Sequence, residues 1–78
     1  MNQLEVLRES LGQCDEIVLD ALLMRNRIVE DIMAYKEAND IPILQPEQEA
    51  KQREWLNRRM EGRRHKDEVT AVFEEITR

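Results

Sequence analysis

The chain has 78 residues, a formal net charge of −5, one cysteine and one histidine, which leaves room for one small domain. One cysteine cannot form an internal disulfide, and one cysteine with one histidine cannot supply the four ligands of a structural zinc ion. The acidic balance argues against sequence-independent binding to nucleic acid, and no apolar run approaches the ~18 residues of a membrane span.

The first predicted element is a single long helix over residues 2–38. Apolar residues recur along it every three or four positions, a spacing typical of an amphipathic helix. This apolar stripe consists of Leu4, Leu7, Leu11, Cys14, Val18, Ala21 or Leu22, Ile28 or Val29, Ile32 and Tyr35. It passes Gly12 without a change of phase, and residues 39–42, which end in a proline, predict the stop. We expect Cys14 to pack in the core.

Two shorter helices are predicted to follow. The second begins at Pro46, because proline lacks an N–H that the first helical position does not need, and ends near Glu61 with Gly62 after it. The third begins at residue 66 or 67 and reaches Arg78. Its apolar residues follow the helical spacing i, i+3, i+4, i+7: Val69, Val72, Phe73 and Ile76. The predicted fold class is therefore all-α, with one long helix and two short ones.

The length of the first helix predicts a dimer. About 36 helical residues extend for about 54 Å, whereas a compact chain of this size is roughly 30 Å across. The apolar stripe continues along the whole helix, so a second chain should cover what this chain leaves exposed. We therefore expect an intertwined helical homodimer. A plain coiled coil is the alternative, but Arg25 and Lys36 interrupt the stripe and the chain turns back at Pro42.

Two cations occupy the core-facing side of the long helix. Stepping along the stripe by sevens leads from Val18 to Arg25, and Lys36 follows eleven residues later, about three turns on. The two side chains therefore project from nearly the same face, about 16 Å apart along the axis. A small anion lying between them could be held from both ends. Alternatively, Arg25 pairs with a glutamate across the interface and Lys36 extends to solvent.

Other polar residues gather near this face. Arg8 lies beside the stripe at the start of the long helix. Gln45, Gln48 and Glu49 follow one another at i, i+3 and i+4, which groups three polar side chains where the second helix begins. Gln45 is a poor N-cap for that helix.

A set of short segments in this chain together matches one enzyme family. The segments are Leu7-Arg8-Glu9, Asp15-Glu16-Ile17, Met24-Arg25-Asn26-Arg27, Lys36, Ile41-Pro42-Ile43 and Pro46-Glu47-Gln48-Glu49. From Leu7 to about Leu56 the chain resembles the all-helical, AroQ-class (type II) chorismate mutases. The spacing of the basic residues together with the I-P-x-x-x-P-E-x-E segment makes the match fairly specific.

The resemblance implies an isomerase that rearranges chorismate to prephenate in the shikimate pathway, toward phenylalanine and tyrosine. The reaction is intramolecular and uses no nucleophile, proton shuttle, metal or other cofactor. The protein restricts a dianionic substrate to its reactive conformer and stabilises the charge that develops on the ether oxygen. A chain with one histidine and one cysteine can carry out such chemistry.

The resemblance also implies a role for each candidate residue. Arg25 would bind a substrate carboxylate within its own subunit, and Arg8 would reach the site from the partner subunit. Lys36 would donate hydrogen bonds to the ether oxygen and to a carboxylate. Glu49 would contact the substrate hydroxyl and help to orient Lys36, with the remaining substrate contacts from Gln45 and Gln48.

The chain departs from the family pattern in three places. Gln45 stands where the family commonly has an acidic residue, and Gln48 where it has an arginine, so one cation is missing. The family's serine and catalytic glutamine or glutamate of the third helix would fall beyond Arg78. We expect a single chorismate mutase-like domain over residues 1–78 with a shortened third helix, standing alone or fused to another enzyme of the aromatic pathway. Either it is a shortened domain of a longer protein, or its activity is weak or absent.

Two other functions stay open at this point. One is an isochorismate pyruvate lyase, a related enzyme with the same fold and a similar anion pocket. The other is a catalytically degenerate domain retained for dimerisation or regulation, which Gln48 and the short third helix favour. The first residues lack the pattern of a secretory signal, so the expected location is the cytoplasm, without a membrane or nucleic-acid partner.

Overall fold

The structure is a computed structural model in which residues 2–77 are described, and these contain three helices and no strand. Helix α1 spans Gln3–Ala38, α2 spans Pro46–Met60 and α3 spans Lys66–Thr77. The predicted all-α class with one long and two short helices is confirmed. Arg78, the predicted end of the third helix, lies outside the described residues. The chain divides into two compact units, Met1–Ile43 with α1 and Leu44–Arg78 with α2 and α3.

Both ends of α1 are capped by local hydrogen bonds. At its start, the side chain of Asn2 accepts a 2.8 Å hydrogen bond from the backbone N–H of Glu5. At its end, Asp40 adopts a left-handed conformation with φ +55°, and the N–H of Ile41 donates to the carbonyl of Lys36 at 2.9 Å. This pairing is a Schellman motif, which reverses the chain after a helix. Pro42 then prevents the helix from resuming, as predicted.

Helix α1 presents its apolar residues to the surroundings. None of its residues, Gln3–Ala38, is buried, and the stripe residue Leu11 is 61% exposed. Cys14 is also exposed, so the expectation that it packs in a core is wrong for the single chain. Three residues of α1 are half-buried, namely Leu22, Arg25 and Lys36. The stripe is therefore an uncovered apolar surface.

The second unit is held together by contact between α2 and α3. Leu56 of α2 is buried, at 7% exposed, and the rings of Trp55 and Phe73 lie 5.9 Å apart at an interplanar angle of 50°. Burying one leucine contributes about 1.5–3 kcal/mol, and a tilted aromatic pair adds about 0.5–1.5 kcal/mol. A single buried residue within residues 2–77 makes a small core, as expected for a chain of this length.

A tight turn separates the two short helices. The N–H of Arg63 donates to the carbonyl of Met60 at 3.0 Å, and Gly62 between them has φ +71°. Glu61 at φ −56° and ψ 127° completes a type II turn, whose third position needs a positive φ that glycine adopts without strain. Gly62 therefore ends α2 as predicted. His65, at φ +62°, precedes α3, and its Nδ1 lies 3.1 Å from Oε2 of the Glu68 carboxylate.

No helix within the described residues is both long enough and apolar enough to cross a membrane.

Candidate functional site

Arg25 and Lys36 are the two charged residues of α1 that are half-buried. Eleven residues separate them, which corresponds to about 16 Å along the helix axis and about 20° around it. The side chains therefore leave the same face of α1, as the sequence predicts. A continuous 36-residue helix holds this spacing rigid.

Arg8 lies far from this pair within the same chain. It is exposed, and 28 residues separate it from Lys36, or about 42 Å along the axis of α1. Its side chain also leaves the helix about 80° away from that of Lys36 around the axis. No small molecule can therefore contact Arg8 and Lys36 of one α1 helix at the same time.

The side chain of Lys36 is held by the segment that follows α1. Its Nζ donates a 2.9 Å hydrogen bond to the backbone carbonyl of Ile43, seven residues later. Because Lys36 also accepts the Schellman hydrogen bond from Ile41, both its backbone and its side chain take part in this turn.

A cleft of about 710 Å³ lies between the last turns of α1 and this returning segment. Its lining residues are Val29, Glu30, Met33, Ala34, Lys36, Glu37, Asp40, Ile41 and Ile43. Lys36 is the cation on this lining, beside the carboxylates of Glu30, Glu37 and Asp40. The ammonium therefore lies at the edge of a partly apolar, otherwise acidic concavity, and the Arg25 side chain is not part of it.

The residues at the start of α2 have a separate arrangement. Gln45 is the N-cap residue, and its carbonyl accepts hydrogen bonds from the N–H groups of Gln48 (3.0 Å) and Glu49 (3.2 Å). The Gln45 side chain makes no capping hydrogen bond, as expected for this residue type. All three side chains are exposed.

Gln48 and Glu49 leave α2 on different sides, about 100° apart. Gln48 lines an open cleft of about 540 Å³ whose other lining residues are Lys51, Gln52, Glu54, Trp55 and Arg58. Gln48 is therefore one of the uncharged members of a surface that holds two cations, Lys51 and Arg58, and the carboxylate of Glu54. Gln52, one turn further along, is half-buried and shares this lining.

The match to known families covers almost the whole chain. The family model described as chorismate mutase type II matches residues 7–78. The chain belongs to this family. Comparison with curated proteins and comparison with solved structures each gave no match. The resemblance predicted from the short segments is confirmed, and the family assignment extends past Leu56 through α3.

Every candidate residue of this chorismate mutase type II chain lies within the matched range. The structure adds one feature that sequence reasoning missed, which is the contact between Lys36 and the Ile43 carbonyl. Its only sequence signal is Asn39-Asp40 after the helix, since asparagine and aspartate tolerate the left-handed conformation that turns the chain. A lysine side chain that reaches a carbonyl seven residues later leaves no pattern in the sequence.

Proposed function

We propose that this protein is a chorismate mutase that rearranges chorismate to prephenate in the biosynthesis of phenylalanine and tyrosine. The observation that carries the proposal is the family match over residues 7–78, within which Arg25 and Lys36 share one face of α1. A dianionic substrate calls for cations on a rigid support, and both residues stand on one uninterrupted helix.

In the proposed mechanism, the enzyme adds no atoms to its substrate. One carbon–oxygen bond breaks while one carbon–carbon bond forms within the same molecule, so the protein contributes orientation and electrostatic stabilisation. Arg25 binds one carboxylate of the substrate. Lys36 donates to the ether oxygen, where negative charge develops, and to a carboxylate, and it therefore has the largest catalytic role.

Three residues at the start of α2 complete the proposed set of substrate contacts. Glu49 accepts a hydrogen bond from the substrate hydroxyl and helps to orient Lys36. Gln45 and Gln48 contribute uncharged hydrogen-bonding groups. Gln48 supplies no charge where the family has an arginine, so we expect weaker binding of the dianion than an arginine would give.

We further propose that the working unit is a homodimer in which Arg8 enters the site of the partner subunit. The uncovered apolar stripe of α1 supports a second copy of the chain as its cover. The separation of about 42 Å between Arg8 and Lys36 along α1 supports the composite site, because Arg8 can contribute to catalysis at Lys36 only from another chain.

The proposal is tested by assaying the purified chain with two substrates. Loss of the chorismate absorbance with formation of prephenate supports the proposed function. Formation of salicylate and pyruvate from isochorismate instead identifies a lyase. Turnover of neither compound supports a degenerate dimerisation or regulatory domain, the function that the neutral Gln48 favours.

The dimer predicts that a charge within the stripe will separate the subunits. Leu11→Glu should raise the dissociation constant of the dimer about a hundredfold or more. Because the dimer is two-fold symmetric, the substitution removes a buried leucine from each subunit, and each removal costs about 1.5–3 kcal/mol of binding free energy. Light scattering after size-exclusion chromatography should give twice the 9.3 kDa chain mass for the wild type and 9.3 kDa for the variant.

Leu23→Glu is the matched control for this experiment. Leu23 is 69% exposed and leaves α1 on the side away from the stripe, so this variant should remain dimeric. A monomeric wild type, or equal dissociation of both variants, would show that the stripe is not the interface.

The missing charge at Gln48 predicts a gain of function. Gln48→Arg should lower KM for chorismate about tenfold, because hydrogen bonds to charged groups contribute about 1.5–3 kcal/mol. Steady-state kinetics measure the effect, and Asn57→Arg, which adds the same charge on the opposite side of α2, should leave KM unchanged. An equal fall in KM for both variants would indicate attraction by net charge instead of a contact at Gln48.

A further inference from the structure

We propose that the segment following α1, residues 39–43, positions Lys36 for catalysis by holding its ammonium group on the carbonyl of Ile43. The inference rests on the proposed mutase function for its catalytic consequence. The hydrogen bond from Lys36 Nζ to the Ile43 carbonyl, called the hold below, is a property of the chain and can be measured without substrate.

Two hydrogen bonds of this turn converge on Lys36. Its carbonyl accepts the N–H of Ile41 at 2.9 Å, and its Nζ donates to the carbonyl of Ile43 at 2.9 Å. The backbone bond determines where the chain reverses, and the side-chain bond then determines where the ammonium lies. Lys36 is accordingly half-buried, whereas its neighbours Tyr35 and Glu37 are exposed.

The number of donors on the ammonium group matches the proposed chemistry. A protonated lysine has three N–H donors. The Ile43 carbonyl takes one of them, which leaves two for the ether oxygen and the carboxylate that the mechanism assigns to Lys36. Glu49 then helps to orient Lys36 through the attraction between opposite charges and needs no further donor. A free lysine side chain would have to be ordered in the transition state, whereas this one is already ordered by the fold.

The hold depends on the left-handed conformation of Asp40. At φ +55° this residue directs the chain back along α1, which brings the carbonyl of Ile43 within reach of Nζ. Aspartate and glycine adopt this conformation readily, whereas a β-branched residue resists it. Pro42 restricts the backbone between Asp40 and Ile43, since the proline ring fixes φ. Asp40 is therefore a positioning residue that acts on Lys36 through the backbone.

The hold can be tested by the reactivity of the Lys36 amine in the full chain. An amine-reactive acetylating reagent, with mass spectrometry of the labelled peptides, measures the labelling rate of Lys36 relative to the exposed Lys51. Asp40→Val should raise the relative rate of Lys36 about threefold to tenfold, the change expected from loss of one hydrogen bond. Asp40→Gly, which keeps the turn but removes the carboxylate, should leave it unchanged.

His65→Val is the matched control for backbone strain. His65 has nearly the same positive φ, +62°, but lies in the turn before α3. This variant should lose a similar amount of thermal stability while the labelling of Lys36 stays at the wild-type rate. Equal labelling of Lys36 in Asp40→Val and the wild type overturns the proposed hold, whether or not the protein turns over chorismate.

The catalytic consequence is read from the split between kcat and KM. In Asp40→Val, kcat per folded chain should fall about tenfold with KM within about twofold, and Asp40→Gly should restore kcat. A purely structural role for Asp40 would lower the folded fraction and leave kcat per folded chain intact, which would overturn the catalytic part of the proposal. Faster labelling in Asp40→Val combined with an inactive wild type would support the hold and refute the proposed function instead.

Discussion

Replacing Lys36 by alanine should lower kcat for the chorismate rearrangement by about a hundredfold to a thousandfold, the effect of removing one preorganised donor at a developing oxyanion. The loss falls on kcat more than on KM, because the charge on the ether oxygen develops as the carbon–oxygen bond breaks. Steady-state assays that follow the loss of chorismate absorbance measure kcat. Circular dichroism shows whether the helices are retained in the variant.

Two further variants make this result specific to Lys36. Lys66→Ala removes an equal charge from the start of α3 and should keep kcat within about twofold of the wild type, since Lys66 is not among the proposed substrate contacts. Lys36→Arg keeps the charge but not the compact ammonium that the Ile43 carbonyl holds, so its kcat should lie between those of wild type and alanine. A Lys36→Ala variant with wild-type kcat would remove Lys36 from the proposed site.

Mixing two inactive variants should restore activity if each site is built from two chains. Arg8→Ala and Lys36→Ala should each abolish most turnover alone. In a heterodimer of the two, one site has both mutations and the other has an intact Arg8 and an intact Lys36. Random exchange of an equal mixture makes half of all dimers heterodimers, so about a quarter of wild-type activity should return.

Native mass spectrometry of differently tagged chains shows whether exchange has taken place. Confirmed heterodimers without any regained activity would contradict the composite site. Activity in the Arg8→Ala homodimer close to that of the wild type would instead show that Arg8 is outside the site. The restored activity should also depend on an intact stripe, so introducing Leu11→Glu into both chains should prevent it.

The helices could be predicted almost to the residue because their signals are local. Asn2 before α1, Pro46 at the start of α2 and Gly62 after it are each explained by backbone groups within one turn. The spacing of Arg25 and Lys36 is equally local, since a continuous helix converts eleven residues into a fixed distance and angle. The family resemblance likewise rested on six short segments between Leu7 and Glu49, each of which can be identified without tertiary information.

Burial was harder to predict than helix formation. The periodicity placed Cys14 on the apolar side of α1, but periodicity identifies a face and does not show what covers it. On α2, Leu56 is buried while its neighbour Trp55 remains 48% exposed and contacts Phe73. Which of the two side chains is buried depends on the contact between α2 and α3, and the sequence pattern of α2 alone does not predict this contact.

The sequence by itself therefore determined the helical class, the helix ends and the shared face of the two cations, because each follows from interactions within a few residues. Only the tertiary structure decided that Lys36 is tied to the Ile43 carbonyl and that the ring of Trp55 lies against that of Phe73. The physical reason is that these contacts depend on backbone angles at a turn and on the direction of individual side chains. Asp40 is an example. Aspartate as a residue type permits a left-handed conformation, but only the folded chain shows that Asp40 adopts it.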